Sequence, residues 1–97
     1  MGGQDGLAYG PAPGITWAQD AGPTLLVDGL AGQLWILAGL EAAAWDLMAL
    51  GYSFESIARS LAILAGVEDE QGRTILWATV GRWQEAGILS AAEGQRP

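Results

Sequence analysis

Apolar positions along this chain follow two rhythms, which divide it into a strand-forming first part and a helix-forming second part. In the first part the apolar runs are short and end at turn signals. Ile15-Thr16-Trp17-Ala18 is β-prone with alternating character, and Asp20-Ala21-Gly22-Pro23 after it is a turn sequence. Thr24-Leu25-Leu26-Val27 is a second strand, and Gln33-Leu34-Trp35-Ile36-Leu37 a third. The loop between them, Asp28-Gly29 through Leu30-Ala31-Gly32, has a length that closes a β-hairpin with glycine at a bent position. Alternation sends Leu34 and Ile36 to one face of the third strand and Trp35 and Leu37 to the other, and it leaves open which face is the core. The run Trp35-Ile36-Leu37 has neither charge nor proline. A naked edge of that kind is hazardous, so it predicts either a cover or a place built to receive a partner strand.

The second part shows helical spacing. Gly39 stands at the N-cap of a first helix running through Leu50, with Leu40, Ala43 or Ala44, and Leu47 on one face. Glu41 lies in its first turn, where the helix dipole favours an anion, and Gly51 is a stop. Ser53 caps a second helix from Phe54 to about Ala65, which stops at Gly66 and buries a stripe of Phe54, Ile57, Leu61 and Leu64. The short Gly51-Tyr52-Ser53 link implies a helix-turn-helix arrangement. A third helix spans about Asp69 to Ala86 and ends at Gly87, with Glu68, Asp69 and Glu70 at its N-terminus and Leu76, Val80 and Trp83 at core spacing. Ile88-Leu89 then packs back onto the domain. Gly72 and Gly81 fall inside this helix, each at a cost of about 1 kcal/mol relative to Ala. Gly81 marks either the close approach of another chain or a tolerated defect.

Three strands followed by three helices make an α+β fold, and a small three-stranded antiparallel sheet with helices in this order resembles a winged helix-turn-helix. Residues 1–14, rich in glycine and carrying Pro11 and Pro13, read as a flexible N-terminal tail. Residues 90–97 read as a second tail, which leaves 15–89 as the domain.

Composition narrows the function more by what is missing than by what is present. At 97 residues the chain fits one domain with one modest core. Half of it is apolar and 15% is charged, too hydrophobic a balance for a disordered protein. There is no cysteine, so disulfides, thiolate metal sites and cysteine nucleophiles are excluded. There is no histidine, hence neither the commonest general base nor the commonest metal ligand. All four cations are arginines (Arg59, Arg73, Arg82 and Arg96), so lysine chemistry is missing as well. The residues therefore predict a binding module that is no enzyme, with no cofactor and no metal. The net charge of −7 opposes binding to nucleic acid or to an anionic membrane. The beginning of the chain has no signal-peptide pattern, and no stretch approaches the length of a transmembrane helix. A cytoplasmic location is the default.

Three stretches resemble the PqqD-like family, the recognition elements of ribosomally synthesised, post-translationally modified peptides. The first is the hairpin Leu26-Val27-Asp28-Gly29 through Gly32-Gln33-Leu34-Trp35-Ile36-Leu37, leading into Glu41-Ala42-Ala43-Ala44-Trp45-Asp46-Leu47-Met48. The second is Gly51-Tyr52-Ser53-Phe54-Glu55-Ser56-Ile57-Ala58, and the third is Trp83-Gln84-Glu85-Ala86-Gly87-Ile88-Leu89. Together they cover residues 15 to 89. The resemblance implies a chaperone or adaptor that binds the leader of a precursor peptide as an added strand, beside the third strand and against the third helix. It also implies a modifying enzyme as partner, a radical S-adenosylmethionine protein or a leader peptidase. The peptide-binding residues expected on this basis are Gln33, Leu34, Trp35, Ile36 and Leu37 on the strand, with Arg73, Thr74, Trp77, Ala78, Gly81 and Arg82 on the helix.

Blander readings stand beside these. Residues 33–37 also fit an ordinary buried strand, Trp77 also fits a peripheral core position, and Arg73 and Arg82 either pair with acidic leader side chains or are solvated. Trp17, Trp35 and Trp45 suit core or groove wall better than a base-stacking platform, since no basic surface accompanies them. Glu68, Asp69 and Glu70 lack the ligand spacing of a calcium loop and suit a helix N-terminus. The rival function is a winged-helix protein–protein adaptor or transcription regulator unrelated to peptide maturation. An exposed apolar edge could also pair two copies into a homodimer when no peptide is bound.

Overall fold

The protein is described here from a computed structural model covering residues 9–19 and 22–91. Its elements run β1 (Tyr9–Pro11), β2 (Ile15–Gln19), β3 (Thr24–Asp28), β4 (Gln33–Leu37), α1 (Leu40–Ala49), α2 (Phe54–Ala65), α3 (Asp69–Ala86) and β5 (Leu89–Ala91). Strands β2, β3 and β4 form an antiparallel three-stranded sheet in that order, and the three helices follow, as the sequence predicts. The register sets Trp17 opposite Leu26 and Leu26 opposite Trp35. The β3–β4 turn is held by Asp28, whose Oδ1 accepts from the backbone N–H of Leu30 (2.9 Å) and Ala31 (3.0 Å). This is the local carboxylate turn that favours Asp at that position. Of the expected Asp20–Pro23 turn, Asp20 and Ala21 lie outside the described residues.

The helix ends are written in the local sequence. The Ser53 hydroxyl accepts from the N–H of Ser56 at 3.1 Å, capping α2, and Gly66 ends it in the left-handed conformation. Glu68 and Gln71 form a reciprocal capping box at the start of α3. No helix among the described residues is long and apolar enough to cross a membrane.

The core lies between the inner sheet face and the helices. Leu26, Trp45, Ile57, Leu61, Leu76, Val80 and Ile88 are buried almost completely. Trp45 stands between two other tryptophans, edge to face with Trp17 (5.7 Å between ring centres) and with Trp83 (5.2 Å). Asp46 ties α1 to the sheet, accepting from Thr24 Oγ1 (3.1 Å) and from Gln19 Nε2.

The tertiary structure departs from the sequence expectations in four places. Residues 9–11, assigned to the tail, form β1 and pair with β5, with Tyr9 opposite Ala91 and Pro11 opposite Leu89. The same pairing takes in residues 90 and 91, also assigned to a tail. Their partners lie at opposite ends of the chain, so local composition carries no trace of the pairing. Residues 1–8 and 92–97 lie outside the described residues. On α2, Leu64 is exposed, and the buried stripe is Ile57, Ala58, Leu61 and Ala62, because the close approach of α3 selects alanines there. On α1, the fully buried side chains are Ala42, Ala44, Trp45 and Met48, while Leu40, Ala43 and Leu47 pack at the margin. Finally, of the two glycines in α3, Gly72 makes the close approach. A Cβ there would stand 2.3 Å from the carbonyl oxygen of Ala58, whereas one at Gly81 would meet nothing within 4 Å.

Candidate functional site

Among the described residues β4 pairs only with β3, so its other side is an open strand edge there. The burial of β4 settles which face is which. Leu37 is buried and Trp35 half-buried against the core, while Leu34 and Ile36 are 61% and 64% exposed on the outer face. The outer face continues across the sheet in two cross-strand rows, Thr16–Val27–Leu34 and Ala18–Leu25–Ile36. No charged side chain stands in either row. Asp28 is the one charged residue in β2–β4, and its carboxylate is engaged in the turn. Proteins usually protect edges with lysine, proline or a covering element. This edge has none of the first two within β4.

The expected site residues on α3 divide between two flanks of that helix. Trp77 and Arg82, five residues apart, are separated by roughly 140° around a helix of 3.6 residues per turn. Arg82 donates from Nη2 to Oε2 of Glu41 at 2.8 Å, and Glu41 lies in the first turn of α1, immediately beyond β4. This contact aims the Arg82 flank at the β4–α1 junction. Ala78, one turn earlier on the same flank, is exposed. Ile75 packs against the core beside it, and the buried Thr79 bonds back to the Ile75 carbonyl at 2.8 Å. On the other flank Trp77 stacks on Phe54 at the start of α2 (ring centres 4.7 Å apart), and Arg73 pairs with Glu55 at 3.3 Å. Thr74 and Gly81 lie on the outward face between the flanks.

Arg82 thus meets Glu41 just beyond β4, while Arg73 and Trp77 face α2. Both arginines have partners within the chain, in ion pairs that remain exposed to solvent. Such surface pairs contribute only about 0–1 kcal/mol each, so a ligand can displace them. Sequence reasoning missed Ile75, Thr79 and Glu41. The signal that could have found the first two is their four-residue spacing, parallel to Ala78 and Arg82. Chemically, the β4 edge offers backbone donors and acceptors that no described strand pairs, an apolar outer face and one displaceable ion pair just beyond its end. That combination suits an extended peptide added as a strand.

The sequence matches no protein-family model, and no curated protein matches it. Two solved structures do resemble the fold. One is a lasso peptide synthetase B1 complexed with the leader peptide, 25% identical, with a TM-score of 0.77 over 86% of this chain and 98% of that one. The other is TbiB1 in complex with the TbiA(beta) leader peptide, 16% identical, with a TM-score of 0.76 over 91% of this chain and 99% of that one. The second shows a shared fold.

Proposed function

We propose that this chain binds the leader region of a ribosomally synthesised precursor peptide as an added strand on β4 and presents it to a modifying enzyme. It acts as a peptide adaptor without catalytic chemistry of its own, in the cytoplasm. One observation carries the reading. The open, uncharged edge of β4 belongs to a fold that has been solved with a leader peptide bound, in a protein 25% identical to this one across nearly its full length. The leader backbone would pair with β4, its inward side chains resting on Trp35, Leu37 and Ile75, with Ala78 and Arg82 as the far wall. The recipient is a modifying enzyme of one of two kinds, a radical S-adenosylmethionine protein or a leader peptidase. Without leader, the same edge can pair two copies, and light scattering would then show dimers that dissociate when leader is added.

The test is a fluorescence titration with the leader of the precursor encoded beside the protein. Saturable binding at micromolar or tighter concentration is expected, lost with a scrambled leader. Ala78→Arg keeps a good helix former at an exposed position but fills the groove, and it should weaken binding at least tenfold, about 1.4 kcal/mol, with an unchanged circular dichroism spectrum. Trp77→Ala, on the α2 flank, should leave affinity within about twofold. The reverse pattern would move the peptide to the Trp77 flank.

A further inference from the structure

Among the described residues the sheet has a second open edge, β2, and it faces a different chemistry. We propose that this edge is a second docking site, which takes an arginine-bearing extended segment of a partner protein. Beside β2 the end of α1 closes a cleft of about 270 Å³, lined by Trp17, Ala18, Gln19, Asp46, Ala49 and Leu50. Small-molecule pockets run from about 300 to 1,000 Å³, so this cleft has the size for one long side chain rather than a whole ligand.

Three negative features converge on it. Asp46 contributes a carboxylate, held toward the sheet by Thr24 and Gln19. The C-terminal end of α1 carries the negative pole of the helix dipole, and no basic residue occupies its last turn. Among the described residues, no hydrogen bond reaches the carbonyl oxygens of Ala49 or Leu50. The arginines of the described chain stand elsewhere, Arg59 paired with Asp69, Arg73 with Glu55 and Arg82 with Glu41. Among the described residues, the negative cleft therefore has no cation of its own.

The apolar wall completes the fit. Trp17 is 40% exposed, although its ring also packs on Trp45, and Leu50 is 73% exposed. An arginine side chain can lie along such a surface with its stem while its planar fork meets the indole, the carboxylate and the free carbonyls. Strand β2 itself, Ile15-Thr16-Trp17-Ala18-Gln19, is uncharged and offers an open backbone edge to the residues on either side of that arginine. A second copy of this chain is a poor occupant, because none of its described strands carries an arginine; Arg59, Arg73 and Arg82 lie on helices.

The experiment uses the full chain labelled with nitrogen-15 and a short blocked peptide, one arginine flanked by valine and threonine. Its twin carries glutamine in place of the arginine. The arginine peptide should shift the indole N–H signal of Trp17 and the backbone amides of β2 saturably, in the millimolar range. The glutamine twin should bind at least tenfold more weakly, and 0.5 M salt should weaken the arginine peptide severalfold. Ala49→Lys, at an exposed position on the cleft wall, should abolish the shifts by placing a tethered ammonium in the site. Equal shifts by both peptides, unmoved β2 signals, or full binding by Ala49→Lys would each overturn the proposal. Leader binding at β4 is read from different amides in the same spectra, so the two sites are tested separately.

Discussion

Gly72→Ala is expected to lower the melting temperature by about 8 °C or more, while Gly81→Ala, on the same helix, raises it by a few degrees. By helix propensity alone both changes should stabilise by up to about 1 kcal/mol, since glycine is the poorer helix former. Gly72 sits where α3 crosses α2. An added Cβ would lie 2.3 Å from the carbonyl oxygen of Ala58 and 2.9 Å from the Cβ of Ala62, and the first of these is backbone that cannot rotate away. The helices must separate, and overpacking of this kind costs about 1–3 kcal/mol or more. The α2–α3 interface holds Ile57, Leu61, Leu76 and Val80, so the separation loosens the centre of the core. A net loss near 2 kcal/mol corresponds to about 8–16 °C in a domain of this size. At Gly81 a methyl group meets only open space, and the propensity gain is kept. Thermal denaturation of the two variants in parallel is the check. A Gly72→Ala melting point at or above the parent's would show that the crossing is looser than drawn.

Trp45→Ala is expected to cost about 3–5 kcal/mol, a large part of the roughly 5–15 kcal/mol that stabilises a small domain. Trp45 is wholly buried and is the piece that joins sheet to helices, touching Trp17 of β2 on one side and Trp83 of α3 on the other. Removing it opens a cavity that no single neighbour can fill, and it leaves Trp17 and Trp83 without their edge-to-face partner. The same substitution should therefore weaken leader binding indirectly, because β4 is positioned through the sheet that Trp45 anchors. Trp45→Phe should be milder than its lost volume suggests. The indole N–H of Trp45 has no hydrogen-bond partner among the described residues, so phenylalanine also removes an unsatisfied donor. Urea denaturation separates these cases: a midpoint for Trp45→Ala close to the parent's would mean that the tryptophan cluster contributes little.

How far the candidate site was legible beforehand can be seen residue by residue. The strand Gln33–Leu37 and the bounds of all three helices could be read locally. Ser53, Gly66 and Gly87 are caps whose effect needs no distant partner. The open side of β4 was legible as a hazard, a Trp-Ile-Leu run with no charge in it. Its inward face was not. Both faces of β4 are apolar, so alternation gives two equivalent registers, and only packing on the helices chose Trp35 and Leu37 for the inside. Trp77 shows the same limit on a helix. Its position on α3 was clear, but whether that flank meets β4 or α2 depends on the rotation of α3 about its axis. Contacts with Phe54 and Glu55 on one side and Glu41 on the other fix that rotation.

The sequence by itself determined the order and kind of elements in β2–β4 and α1–α3, their ends, and the absence of histidine, lysine and cysteine chemistry. Those properties are set by neighbours within a few residues, or by composition. Only the tertiary structure decided that Tyr9–Pro11 pairs with Leu89–Ala91, that Gly72 and not Gly81 is the tight crossing, and that Leu64 is exposed while Ala62 is buried. It also decided that Arg82 reaches Glu41 beyond β4, whereas Trp77 meets Phe54 of α2. Each of these depends on what lies across a gap from a residue far away in the chain, and small side chains such as Gly and Ala leave that choice unmarked in the local pattern.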